Sequence, residues 1–315
     1  MELTALRYCI ATARLGTVTA AAEEFMVAPS AVSRAIRIVE RELGVALFDR
    51  VGRNVIPSRL GQAFLDEAAS AIQQIDAAAR AVRQRSGVDH GSVRLGFLSS
   101  LGAGFIPAVL QRVSRAYRDL TVELAAGSER AVVDWLRTGA IDIAIGVPGM
   151  FDTDGVLWEP LYDEELVCAV PTGHVAGTKE SVSFRDLAQV RLVLLSADFS
   201  VRRIVDDGFR SVGLEPSVVF EGPDVATLGG LVRAGIGIGI LPSDAMKRQP
   251  DDAELVVVPI TGGLVRSIAV GRVRRKIEAA AVHAVRIAIA DCADDWRRAE
   301  MQRESQAEAG DAQDD

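Results

Sequence analysis

The 315 residues are enough for about two domains, and 49% hydrophobic with 25% charged residues is the mix of an ordinary globular chain. Aromatic residues reach only 5%, so any core must rest on Ala, Val, Leu and Ile. The net charge of −8 counts against a nucleic-acid partner taken whole, yet residues 1–59 hold eight arginines against six acids, a local +2 that leaves −10 for the rest.

Along the chain, Leu3, Leu6, Ile10 and Ala13 recur at helical spacing over residues 3–14, and Gly16 ends that helix. Thr17 or Thr19 can cap a second short helix through Ala20, Ala21, Ala22 and Phe25. After the connection Met26-Val27-Ala28, Pro29 suits the first position of a third helix, where its missing N–H has no partner to lose. Val32, Ile36, Val39 and Leu43 share one face of that helix, and Gly44 stops it. Two short extended pieces, residues 47–50 and 54–57, flank a turn at Val51-Gly52-Arg53. Helix, helix, turn, helix and hairpin together predict a winged helix-turn-helix, a DNA-reading unit.

Ser58 can cap a fourth helix over about 59–85, with Leu60, Phe64, Ala68, Ala71, Ile72, Ile75, Ala79 and Val82 as a narrow stripe about four heptads long. Such a stripe is typical of a pairing helix. Residues 86–91, Ser-Gly-Val-Asp-His-Gly, read as a hinge. From Ser92 the pattern turns to short apolar strands alternating with helices. Strands are expected at 93–98, 121–124, 141–146, 166–170, 192–195, 237–241 and 265–272. Helices are expected at 105–117, 128–136, 201–212, 224–234 and 274–290. The alternation predicts α/β with a mostly parallel sheet, and two similar halves predict two lobes around a cleft. From Ala293 the chain is acidic and poor in apolar residues, so residues 293–315 are expected to be a disordered tail.

Several patterns carry no chemistry. Cys9, Cys168 and Cys292 share no metal-ligand spacing and cannot all pair, so they read as buried thiols in a reducing compartment. Gly235-Ile236-Gly237-Ile238-Gly239 leads into strand residues and Leu241-Pro242, not into a helix, and so is no dinucleotide fingerprint. His174 near Cys168 lacks a nucleophile's strand–turn setting, and His90 and His283 stand alone, so neither an enzyme, a metal nor any cofactor is expected. Arg7 and Arg14 interrupt any N-terminal apolar stretch, and no run nears the ~20 apolar residues of a membrane span. A cytoplasmic protein without a membrane partner is expected.

The head resembles the LysR-type transcriptional regulator family. Gly16-Thr17-Val18-Thr19-Ala20-Ala21-Ala22, Ala31-Val32-Ser33-Arg34-Ala35-Ile36-Arg37, residues 40–50 (Glu-Arg-Glu-Leu-Gly-Val-Ala-Leu-Phe-Asp-Arg) and Ser58-Arg59-Leu60-Gly61 carry the resemblance, and the pattern covers residues 3–61 without a gap. In the body, Asp142-Ile143-Ala144-Ile145-Gly146 and residues 231–242 sit where that family has such segments. Gly96-Phe97-Leu98-Ser99-Ser100-Leu101-Gly102 is similar to the subgroup that includes glutamate synthase activators, which makes a small dicarboxylate one candidate effector. The resemblance implies a periplasmic-binding-protein-like sensor domain, a linker helix used for dimerisation, and homodimers or homotetramers. One departure matters: many members carry Gln near the start of the recognition helix, and this chain has Pro29. Gln can bond adenine twice and Pro cannot, so the family's operator preference does not carry over at that base.

The expected architecture is α/β overall. A winged helix-turn-helix occupies 1–58, a linker helix and hinge 59–90, and a two-lobed effector-binding domain 91–292, with lobe I about 91–165 and 268–292 and lobe II about 166–267. On the DNA side, Pro29, Ser30, Ser33, Arg34 and Arg37 lie on the outward face of the recognition helix. Arg50 and Arg53 flank the wing turn, and Thr19 can bond a phosphate or cap its own helix. On the effector side the candidates lie at the carboxyl ends of strands: Ser99, Ser100, Leu101, Gly102, Ser128, Gly146, Val147, Asp198, Phe199, Arg202 and Thr227. Ser99, Ser100 and Thr227 would donate to an anion with Arg202 as counter-charge, whereas Asp198 would repel it unless paired. The expected function is a ligand-gated regulator of inverted-repeat operator DNA, with RNA polymerase a further candidate partner. The alternative is a constitutive DNA-binding regulator whose sensor domain takes no ligand.

Overall fold

The computed structural model describes residues 1–51, 54–83, 91–149, 155–247, 254–274 and 278–311. It divides into two units, Met1–Val82 with Thr138–Ala140, and Arg83–Arg137 with Ile141–Asp315.

In the first unit, α1 (Leu3–Leu15) stops at Gly16, whose left-handed φ of 73° lets its N–H return to the Thr12 carbonyl. The Thr17 hydroxyl accepts from the Ala20 N–H at 3.1 Å and starts α2 (Val18–Glu24). Pro29 opens α3 (Pro29–Leu43), which Gly44 closes at φ 74°. Val32, Ile36 and Val39 of α3 are buried among Ala5, Cys9, Ala21 and Ala22. Small side chains let the three helices approach closely, as the low aromatic content requires. Strands β1 (Phe48–Val51) and β2 (Asn54–Pro57) pair antiparallel as the wing, and the Val55 N–H donates to the Gly16 carbonyl.

The Ser58 hydroxyl accepts from the Gly61 N–H at 2.9 Å and donates to the Ala46 carbonyl at 2.8 Å, which caps α4 (Arg59–Arg83). Helix α4 does not present the single stripe read from the sequence. Leu65, Ala68 and Ile72 are buried, whereas Leu60 and Ile75 are 63% and 46% exposed. Leu65 belongs to the helix-turn-helix core, and an Arg7–Asp76 ion pair of 2.6 Å joins α4 to α1. One edge of the helix is therefore taken up within the unit, and Leu60 and Ile75 face outward. The expected hinge at 86–91 lies outside the described residues apart from Gly91.

The second unit alternates β3 (Gly91–Leu98), α5 (Phe105–Ala116), β4 (Leu120–Gly127), α6 (Glu129–Thr138), β5 (Ile143–Gly146), β6 (Val156–Pro171), α7 (Phe184–Leu187), β7 (Leu192–Leu195), α8 (Ser200–Ser211), β8 (Val218–Gly222), α9 (Val225–Arg233), β9 (Ile238–Pro242), α10 (Ser243–Lys247), β10 (Leu255–Val258), β11 (Val265–Val273) and α11 (Ala280–Asp311). The strand order is β4-β3-β5-β11-β6-β9-β7-β8, with β10 also on β6. Pairs β3–β4, β3–β5, β7–β8 and β7–β9 are parallel; those made by β6 and β11 are antiparallel.

Strand β6 spans both lobes. Its residues from Val156 to Glu165 pair with β11, and those from Leu166 to Pro171 with β9 and β10. A bulge falls at Leu161, where Ile268 pairs with Tyr162 but Ala269 with Pro160; a proline that cannot donate to the ladder is tolerated there. Each lobe has its own apolar core. One gathers Leu95, Phe105, Val109, Leu136, Ile143 and Ile289; the other gathers Val167, Val193, Val205, Phe209, Leu228 and Ile240.

The C-terminal segment corrects an expectation. Residues 293–311, expected to be disordered, continue α11. Ala, Glu, Gln and Arg favour helix, and ion pairs Arg297–Asp294 and Arg298–Asp295 lie along the surface. Trp296 adds a tertiary anchor. Its ring meets Phe105 edge-on at 5.6 Å, and its indole N–H donates to Asp244 Oδ2 at 2.8 Å.

Candidate functional site

The surface of α3 follows from its core face. With Val32, Ile36 and Val39 turned inward, Pro29, Ser30, Arg34 and Arg37 are exposed and Ser33 is half-buried. Arg37 Nε donates to the Ser33 carbonyl at 3.2 Å, and among the described residues neither Arg34 nor Arg37 enters an ion pair. Thr19 is exposed within α2, since Thr17 takes the capping role. Arg50 lies on β1, its side chain outside the described residues, as is Arg53 altogether. The outer surface of α3 therefore carries two guanidiniums without an ion pair among the described residues, and short hydroxyls, on a helix whose rotation is fixed by packing. Such a surface can enter a major groove and bond base edges or phosphates.

In the second unit, residues that follow β4 in one lobe bond residues that follow β7 in the other, and the turn after β3 lies against β11. Ser99, Ser100 and Leu101 form a 3-10 turn after β3, and the Gly102 N–H closes it on the Ser99 carbonyl. Leu101 sinks into the first lobe's core. The Ser99 hydroxyl donates to the Gly127 carbonyl, and the Ser128 hydroxyl caps α6 by accepting from Ala131. Gly146 ends β5 beneath the Trp158 ring, with Val147 half-buried beyond it. From the second lobe, Asp198 meets Arg130 of α6 at 3.0 Å, which supplies the pairing that an acid in this place requires. Phe199 is packed in its own lobe's core and precedes Ser200, whose hydroxyl donates to Glu129 at the start of α6.

Two expected anion partners are committed elsewhere. The Thr227 N–H and hydroxyl both donate to the Asp224 carboxylate, at 2.8 and 2.7 Å, as a helix cap. Arg202 donates to Asp206 and, at 2.6 Å, to Glu221. It also lines an open cavity of about 470 Å³ with Asp206, Arg210, Leu214 and Glu215. Among the described contacts neither residue bonds the Ser99–Leu101 turn.

The residue that does is Arg266 of β11, which the sequence reading passed over. Its Nη2 donates to the Ser100 hydroxyl at 2.7 Å, and its Nε donates to Glu164 of β6 at 2.8 Å. Arg266 and Glu164 are both buried where the two crossing strands pair. Burial alone would lower the guanidinium's pKa, but the charges of Glu164 and Glu129 outweigh it and hold Arg266 protonated. A charged residue inside an otherwise apolar strand, as in Val265-Arg266-Ser267-Ile268, was the available signal. Glu129 and Arg130 were also passed over, although they adjoin Ser128.

All three cysteines are buried and free. Among the described residues no group of His, Cys, Asp and Glu is arranged to hold a metal ion, and no helix is long and apolar enough to cross a membrane.

Residues 3–62 match the family model described as "Bacterial regulatory helix-turn-helix protein, lysR family", and residues 86–292 match "LysR substrate binding domain". The chain is 32% identical over 242 residues to the transcriptional dual regulator GltC of Bacillus subtilis, covering 77% of this chain and 81% of that protein. Among solved structures it is similar to CbnR, a LysR family transcriptional regulator, with a TM-score of 0.72 at 22% identity over 93% of this chain and 99% of the other. It is also similar to full-length CbnR complexed with target DNA, with a TM-score of 0.56 at 22% identity over 93% and 100% of the two chains.

Proposed function

The chain belongs to the LysR family of bacterial DNA-binding transcriptional regulators, and from that premise we propose that it reads inverted-repeat operators as a homo-oligomer, with a small molecule in the cleft of its second unit modulating the reading. The observation that carries the DNA half is the fixed, outward α3 surface with Arg34 and Arg37 unpaired among the described residues. In this reading the N-terminal turns of α3 enter the major groove. Ser30 and Ser33 make close contacts beside Pro29, and Arg34 and Arg37 reach a guanine edge or a phosphate. Arg50 and Arg53 of the wing and Thr19 grip the backbone. One head binds modestly and with strong salt dependence, so two heads on paired α4 helices supply both affinity and half-site spacing. The oligomer works in the cytoplasm beside RNA polymerase, which it recruits or obstructs.

The cleft half is supported by the meeting of Ser99–Gly102, Ser128–Arg130 and Asp198–Ser200 from two separately cored lobes. A ligand bound there gates DNA reading only through different affinity for two lobe arrangements. Mapping purified full-length protein on fragmented genomic DNA at near-physiological salt is the test. A few sites sharing an inverted repeat are expected, and uniform binding would overturn the proposal. At such a site Arg34→Ala is expected to weaken binding at least about tenfold. A base contact would relax one operator position, whereas a phosphate contact would lower the salt slope by about one.

A further inference from the structure

Three of the four groups expected to receive an anionic effector, Ser99, Thr227 and Arg202, are already engaged within the protein, whereas the Ser100 hydroxyl accepts from Arg266. The Ser99 hydroxyl donates to Gly127, Thr227 is held by Asp224, and Arg202 by Asp206 and Glu221. The buried Arg266 spends its Nε and Nη2 on Glu164 and Ser100. Acceptors are in the opposite condition. Glu129, only 1% exposed, takes the Ser200 hydroxyl on Oε1, while its Oε2 is buried with no hydrogen-bond partner among the described residues.

Arg266 pairs with Glu164 and Arg130 with Asp198, and Glu129 lies between them, bonded to Ser200. A buried carboxylate oxygen without a donor is costly, and the cost is removed when a bound group supplies both an N–H and a positive charge.

We propose that Glu129 determines the specificity of the cleft and that the effector presents a cationic N–H group, an ammonium or amidinium, to Glu129 Oε2. The proposal rests on the effector reading above and replaces the small carboxylate suggested by the Ser99–Gly102 segment. Arg266 then serves as a positioning residue, holding Glu164 and the Ser100 turn in place, and does not receive the ligand.

The test is thermal unfolding of the full chain with 1,4-diaminobutane or agmatine and, separately, with succinate or 2-oxoglutarate; diaminobutane and succinate share a four-carbon frame with opposite charge. The amines are expected to raise the melting temperature and the diacids to leave it unchanged. Glu129→Gln keeps an oxygen for Ser200 but removes the charge, and is expected to weaken the amines at least about tenfold. Operator binding by the variant reports that it is folded, and the amine–diacid contrast in the unmodified protein decides the matter should the variant not fold. Stabilisation by a diacid but not by an amine, or amine binding unaltered in Glu129→Gln, overturns the cationic effector while leaving the cleft an effector site. No shift with any of the four, in a protein that still binds its operator, overturns the effector reading as well.

Discussion

Cys9 and Cys168 sit wholly inside their respective cores, and burial pushes each thiol up to about 12, with the charge of Glu40 adding to the effect at Cys9. Cys292 moves the same way for the same main reason. Thiols held protonated near neutral pH are poor nucleophiles, so their chemistry is that of small apolar groups. The linkage has a definite sign. The folded values lie above the unfolded value of 9.0, so the stabilisation is complete below pH 9 and falls as pH rises from 9 toward about 12, the range in which the unfolded chain has released these protons and the folded chain still holds them. Urea unfolding followed from pH 8 to 11 is expected to show a steeper loss of stability in the unmodified protein than in Cys168→Ala. Equal slopes would mean that the thiol ionises as readily inside the core as outside it.

At the level of elements, the corner between the wing and α4 leaves no room for a side chain at its glycine. A Cβ on Gly61 would lie 1.9 Å from the Leu47 carbonyl oxygen, so only glycine lets α4 begin there. Gly61→Ala is expected to destabilise the head by about 1–3 kcal/mol in chemical denaturation. An unchanged midpoint would show that the Leu47–Ser58 corner yields freely. The same corner explains what could be read from sequence. Gly16, Pro29, Gly44 and Ser58 punctuate the head at each turn, and β5 and β7 announce themselves as apolar runs. The first half of β6 does not, because Trp158-Glu159-Pro160 and Asp163-Glu164-Glu165 follow neither strand period, and the bulge at Leu161 breaks the alternation. The candidate site was legible only by halves. Strand ends located Ser99, Ser128 and Asp198, but Arg266 lies 166 residues from Ser100 and 102 from Glu164, and only the pairing of β6 with β11 brings them together. Thr227 and Arg202 fit a generic anion site in sequence, and local partners, Asp224 and Asp206, claimed them first.

For the molecule as a whole, the exposed Leu60 and Ile75 on α4 are where a second copy is expected to pack. The double substitution Leu60→Glu, Ile75→Glu is expected to shift sedimentation from an oligomer toward the monomer and to weaken operator binding with it. Undiminished association would place the interface elsewhere.

Trp296 has an optical consequence. The chain holds three tryptophans, and this one, four residues past the segment matched as a substrate-binding domain, rests against the first lobe while its indole N–H is bonded to Asp244 of the second. Indole emission responds to the loss of a carboxylate partner and to the arrival of water, so any movement that parts Asp244 from the ring changes the colour of the protein's own fluorescence. A fragment ended at residue 292 would lack that gauge, and with it the ring that covers Phe105.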